Sequence, residues 1–312
     1  MAARPEDAVA AIHEVFGRHP GHRAVHAKGV LCKGTFTARP EAAGLTTAAH
    51  LQGEPIPATV RFSNAAGDPG IPDYALDVRG MAVKLYLPDG SKTDVVAITL
   101  PSFVARDPDE FVAVTRASKP LPFVGLPGPR AALFLATHRH SLPAARAALT
   151  QKPPESFATR RYNAIHAFRW IDPEASERFV RYRWLPEAGE HSISTREAKQ
   201  RGRGYLMEEL HERLARQAVR FTLAVQLATE GDDPTDPTMA WPEDRELVEV
   251  GELELTEPEL GRERGDDILV FDPTRVTSGI ELSDDPILSF RSRAYSVSVE
   301  ERSGIPRPST LA

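Results

Sequence analysis

One cysteine, Cys32, stands in 312 residues, so no disulfide can form within the chain. That suits a reducing compartment without requiring one. Long apolar runs are missing too. None approaches the roughly 20 residues that a membrane-spanning helix needs. The opening MAARPED has no basic region leading into an apolar stretch, so no secretory signal is expected and a cytoplasmic location is the default. Nor is there an excess of basic charge: 38 Lys and Arg face 44 Asp and Glu, a formal net charge of −6. That balance gives no reason to expect nucleic acid or an anionic membrane as partner, and it leaves a homo-oligomer open. No internal repeat or low-complexity linker divides the chain. What is present, 41% hydrophobic and 26% charged residues, is ordinary for a globular protein. The length suffices to bury a core and enclose a cofactor.

Periodicity sets out the elements. Pro5, Glu6 and Asp7 open a short amphipathic helix with Val9, Ile12 and Phe16 on one face, ended by Gly17 and by Pro20 with Gly21. From 24 to 100 the pattern becomes short apolar runs near 25–30, 58–62, 81–87 and 95–100, with Pro88, Asp89 and Gly90 as a hairpin turn. Asp107, Pro108 and Glu110 predict a helix start with a capping box, and helices follow over 130–136 and 144–149. Strands return at 179–184 and 219–227, separated by one Glu-, Arg- and Leu-rich helix over 195–217. The acidic stretch 230–237 reads as a solvated loop, since nothing imposes calcium-ligand spacing. His138 and His140 lack partner ligands at usable spacing and read as surface residues on or near a helix. Asp285 and Pro286 begin the last helix, and 303–312 form a loose tail. These features predict one α+β domain over 1–302, an antiparallel sheet of many strands curled into a barrel with helices packed outside.

The last helix carries the sharpest geometry. Arg291 and Tyr295 are four residues apart, hence neighbours on one face, and Arg302 returns near that face seven residues later. A guanidinium beside a tyrosine favours the phenolate, a hard anionic ligand suited to ferric iron. From spacing alone, a partly buried tyrosine packed on an arginine stem accounts for the same pattern.

Several further segments carry a family resemblance. RAVHAKG at 23–29 resembles the segment around the distal histidine of haem catalases, and VRFSNAAG at 60–67 resembles their VRFS segment. DVRGMAVK at 77–84 is similar to their DPRGFAVK run, and PSFVARDP at 101–108 to the segment that follows it. AWP at 240–242, FDPT at 271–274, GIE at 279–281 and RSRAY at 291–295 continue the match in order and spacing. The resemblance covers roughly 22–302. It implies a catalase-like antiparallel β-barrel without the long N-terminal arm and C-terminal helical domain of full catalases, nearest the small catalase-related peroxidases.

The resemblance also implies roles. Tyr295 is then the axial ligand to the iron of haem b, held as phenolate by Arg291. His26 is the distal acid–base, oriented by Ser63. Arg23, Arg61 and Arg302 pair with the haem propionates. Val25 and Phe103 lie against the haem face, and Phe111 in the distal pocket. The partners implied are a peroxide, hydrogen peroxide or an organic hydroperoxide, and an organic electron donor. The sequence departs from the family at Ile98, which takes the place of the distal asparagine, with Thr99 at the neighbouring asparagine position. Past the tyrosine, Ser296 and Val299 replace a proline and a histidine. With Ile98 there, His26 is expected to be the main polar contact for peroxide, which favours a peroxidase with weak residual catalase activity. A haem-binding protein for storage or sensing, and a hydroperoxide-rearranging enzyme like the catalase-related allene oxide synthases, are the alternatives.

Overall fold

The computed structural model describes residues 2–120, 127–259 and 269–304. Ten strands form one antiparallel sheet: β1 Gly29–Ala38, β2 Ile56–Asn64, β3 Arg79–Tyr86, β4 Lys92–Ile98, β5 Tyr162–Asn163, β6 Phe168–Ile171, β7 Glu177–Pro186, β8 Val219–Leu227, β9 Leu247–Pro258 and β10 Ile280–Leu282. Eight of them close in the order β1-β2-β3-β4-β5-β7-β8-β9 and back to β1, giving a barrel. The long β7 pairs on one edge with β6 along its first half and β5 along its second, and on the other edge with β8. Closure leaves the barrel strands without the exposed edges that invite wrong pairing.

The two-residue period of a strand assigns the two faces of the sheet. In β2, Val60 and Phe62 belong to the apolar core of the barrel, while Arg61 and Ser63 point outward. Inside, the Phe62 ring stacks on Phe157 at 5.4 Å and lies near Tyr162 and Phe221. Trp184 meets Phe36 edge-on. Cys32 is in this core as well, where burial pushes its thiol up to about 12. On the outer face, Lys84 and Asp94 oppose each other across β3 and β4 and pair at 2.5 Å. Asp94 also accepts from Arg275 and from the Asp272 amide, so the segment before β10 is tied over this part of the barrel.

Helices α1 Pro5–Phe16, α2 Pro40–Ala43, α3 Pro108–Ala117, α4 Pro129–Thr137, α5 Leu142–Thr150, α6 Thr195–Arg201, α7 Tyr205–Leu214 and α8 Pro286–Ser303 surround the barrel. α1, α3 and α8 pack together through Ala8, Ala11, Val112 and Phe290, and a second cluster joins Val9 and Ile12 to Ala24 and Val297.

Several sequence expectations are corrected. The helix expected over 195–217 is two, α6 and α7, because Gly202 has a φ of 107°, outside helical geometry and open to glycine. Asp107 caps α3 as expected, but Glu110 accepts from the Arg106 amide rather than closing a box on the cap residue. The first strand begins only at Gly29, so His26 lies in the loop ahead of it. His138 and His140 are half-buried rather than on the surface: His138 bonds the Phe134 carbonyl and His140 binds Glu110 at 2.9 Å. In the acidic loop, Asp232, Asp233 and Asp236 are engaged by Thr229, Thr235, Thr238 and Arg245, and no metal-binding cluster occurs among the described residues. The expected tail gives up Ser303 to α8, and 305–312 lie outside the described residues.

His50, against the Phe36 ring, is buried with no hydrogen-bond partner for Nδ1 among the described residues. Burial lowers its pKa to about 4. The unfolded chain therefore binds a proton between about pH 6.5 and 4 that the folded chain excludes, and stability falls as pH drops through that window. His50→Phe is expected to remove one such proton, on the order of 3 kcal/mol across the window. Urea unfolding at pH 7 and pH 4.5 should show a smaller acid loss in the variant. An equal loss would mean that His50 is not buried in its neutral form.

Candidate active site

A cavity of about 360 Å³, within the range of small-molecule sites, lies between the outer face of β2, β3 and β4 and the helices α1, α3 and α8. It lies outside the barrel core, where the outward set of side chains faces it. Its walls are mainly apolar, and α1 contributes Ala8, Val9 and Ile12. All ten residues singled out from the sequence line it. His26, Ser63 and Arg61 come from the barrel side, Arg23 and Val25 from the loop before β1, Phe103 and Phe111 from the start of α3 and the loop ahead of it, and Arg291, Tyr295 and Arg302 from α8.

On the α8 side the Tyr295 hydroxyl accepts two N–H donors from Arg291, Nε at 2.9 Å and Nη2 at 2.5 Å. Two N–H donors of one guanidinium thus converge on the phenol oxygen. Arg291 Nη1 donates in turn to His166 Nε2 at 2.9 Å, and His166 Nδ1 donates to the Asp285 carboxylate at 2.6 Å. Burial lowers the His166 pKa, against the opposing pull of Asp285, so the ring is neutral, with Nδ1–H toward the carboxylate and Nε2 as acceptor. Asp285 is fully buried, and its other oxygen accepts the Ile287 and Leu288 amides as the cap of α8. Sequence reasoning saw Asp285 only as that cap and missed His166. They stand 119 positions apart, and no local pattern joins the two.

On the opposite wall, His26 sits in the left-handed backbone region with φ 55°, held by amide bonds from His26 to Ala65 and from Ala27 to Ala66. Histidine tolerates this region better than most side chains, and two bonds to a neighbouring loop fix the conformation. His26 Nδ1 lies 2.9 Å from Ser63 Oγ. The ring rests over Gly80: a Cβ there would come within 2.7 Å of His26 Cε1 and 2.9 Å of Ser63 Oγ. Burial lowers the His26 pKa to about 3, with Arg61, Arg291 and Arg23 adding to the effect, so its imidazole is neutral.

Gly29, Ser63, Gly80, Ile98 and Asn163 form one row across five strands. Ile98 lines the cavity, as its register with Gly80 requires, while Thr99 turns away to accept from Arg79 and donate to Gln151. Asn163 also lines the cavity, from β5 beside Ile98, as a polar side chain the sequence reading did not single out. A strand of two residues leaves too short a pattern to be seen in the sequence. Val299 faces the cavity, while Ser296 bonds back to the Ser292 carbonyl within α8.

Arg23 and Arg302 both donate to the Leu269 carbonyl, at 2.9 and 3.3 Å, which brings two guanidiniums together at the cavity wall. Arg61 is buried at 3% exposure. An arginine so enclosed, facing a cavity, suits a carboxylate that enters it. Haem fits this set: a hard oxygen donor for ferric iron at Tyr295, guanidiniums for two carboxylates, and apolar walls for a flat macrocycle.

Comparison with known proteins agrees with this architecture. The family model for catalase matches residues 14–307. A catalase-related peroxidase of Mycolicibacterium paratuberculosis is 46% identical over 307 residues, covering 97% of this chain and 96% of its own. A catalase-related peroxidase of Synechococcus elongatus is 31% identical, covering 96% of this chain and 88% of its own. A fungal catalase crystal structure superposes with a TM-score of 0.82 at 24% identity, over 95% of this chain and 62% of that one, which is a likeness of fold. With a family match over nearly its whole length and relatives of its own size, the chain belongs to the catalase family.

Proposed function

We propose that this chain is a haem-dependent peroxidase that reduces hydrogen peroxide or organic hydroperoxides with electrons from an organic donor. The observation that carries the reading is the opposition, across one cavity, of Tyr295 with its buried arginine–histidine–aspartate support and His26 with Ser63. The names of the two near-full-length relatives, both catalase-related peroxidases, support it. Bound haem b would supply the iron that exchanges electrons with peroxide and donor. Tyr295 would hold that iron, and Arg23, Arg61 and Arg302 would hold the propionates. Val25, Phe103 and Phe111 would bound the ring and the space above it, and water with it.

The part left to the protein is a proton. With Nδ1–H donating to Ser63 Oγ, His26 Nε2 is an acceptor at neutral pH. It takes a proton from one peroxide oxygen and returns it to the other, so that the oxygen–oxygen bond breaks with a neutral leaving group. A depressed pKa keeps that acceptor available in mild acid. The His26–Ser63 pair favours an enzyme over a storage or sensing protein, which would need the tyrosine and arginines alone. Ile98 favours peroxidase over catalase turnover, because a branched alkyl group cannot hold a second hydrogen peroxide. A Soret band after reconstitution, with dye oxidation exceeding oxygen evolution on the same haem-normalised sample, tests the whole reading.

Three substitutions divide it. Tyr295→Phe should keep the fold and lose most haem or hold it weakly. An unchanged ferric spectrum at full occupancy would remove Tyr295 as the ligand. His26→Ala should keep haem and slow the reaction with peroxide by ~2–4 orders of magnitude, the contribution of a positioned acid–base group. Stopped-flow mixing reads that rate directly, and a wild-type rate would take His26 out of the mechanism. Gly80→Ala places a methyl group where the imidazole lies. It should bind haem normally yet react with peroxide at least about tenfold more slowly, because displaced catalytic groups are costly.

A further inference from the structure

We infer that Asn163 supplies the amide N–H that holds peroxide beside His26, in place of the residue at position 98. The inference rests on the haem reading above and adds to it a group contributed by another strand.

The row across the barrel carries the argument. Paired residues on neighbouring antiparallel strands point their side chains to the same face, with Cα atoms about 4.5–5.5 Å apart. Gly80, on which the His26 ring lies, pairs with Ile98, and Ile98 pairs with Asn163. The amide therefore stands on the same face as the imidazole, one strand beyond Ile98, and both side chains line the cavity. Asn163 Nδ2 donates to the Leu100 carbonyl at 3.2 Å, which fixes the plane of the amide. An amide nitrogen has two hydrogens, and the Leu100 bond uses one. Among the described residues the second meets no acceptor, and the group is half-buried on the cavity side. Around it the wall is apolar, with Ile98, Leu100 and Ile165. A spare polar hydrogen on a residue that lines an apolar pocket gains most when a ligand oxygen accepts it, since few other acceptors are at hand.

The role is orientation. The N–H donates to a peroxide oxygen while His26 Nε2 handles the proton. One strand more of separation from the histidine means that a small peroxide is gripped less closely between the two groups than it would be by an amide at position 98.

Fluoride is a probe for this donor, as a small anion that binds ferric haem and accepts hydrogen bonds in the distal pocket. The variant is Asn163→Leu, which keeps the bulk and removes the amide. Fluoride affinity of the reconstituted protein is expected to fall about tenfold, or 1.4 kcal/mol, the scale of a hydrogen bond to a charged partner. Haem occupancy and the resting spectrum should be unchanged. Adding Ile98→Asn to that variant should restore affinity, which a merely structural role for Asn163 would not produce. If Asn163→Leu fails to fold, Asn163→Ser, whose hydroxyl is shorter, reads the same loss. Unchanged fluoride affinity in a folded, haem-loaded variant overturns the assignment to Asn163 and leaves the peroxidase reading standing. Absence of any Soret band in the unsubstituted protein overturns both.

Discussion

The carboxylate of Asp285 serves two structures at once. One oxygen receives the first amides of α8 and so fixes where that helix begins. The other receives the His166 N–H, and through His166 and Arg291 determines what reaches the Tyr295 oxygen. The helix that presents the tyrosine and the polar chain that supports it therefore share an origin, so their register cannot drift apart. A cap alone is worth about 1 kcal/mol. A buried carboxylate whose partners are removed, or a buried partner left without its carboxylate, costs about 3–5 kcal/mol. The support thus stands on a group whose loss also disturbs the helix.

The barrel makes a second division of labour. Its inward residues are large and apolar, and they fill the interior with Phe36, Phe62, Trp184 and Phe221. On the outward side of β3 the side chains shrink to Gly80 and Ala82 along the floor of the cavity. Strand alternation lets the two surfaces be set almost independently: the inner one holds the fold together, and the outer one leaves room for an imidazole and a ligand. The charged pair Lys84–Asp94, farther along the same outer face, anchors the segment that leads to β10 and α8. The two walls of the site are thereby referenced to the same strands.

Much of this was legible in the sequence, for identifiable reasons. β2, β3 and β4 announce themselves through short apolar runs, β7 and β8 through alternation, and α1, α3 and α8 through capping and proline. The ten site residues sit in short motifs whose order survives in the chain, and all of them meet in one cavity. His166 and Asn163 escaped because β5 has two residues and its surroundings show no period. Their importance comes from contacts across more than a hundred residues in the case of His166. The split between α6 and α7 was hidden because charged and leucine residues continue on both sides of Gly202, and one backbone angle overrides the pattern. Position 98 shows the limit from the other side. The sequence reveals that an amide is missing there, but only the sheet register shows that another stands next to it.

Cys32 gives the barrel a chemical consequence of its own. The sulfur form that oxidants attack is the thiolate, and peroxide would carry an accessible one through sulfenic acid to irreversible products. Here the only thiol in the chain is sealed inside the barrel and held protonated, its pKa raised to about 12 by burial. The cavity opens on the outside of the sheet, and the one thiol lies on the inside. The wall of strands that shapes the cavity also separates that thiol from whatever enters it.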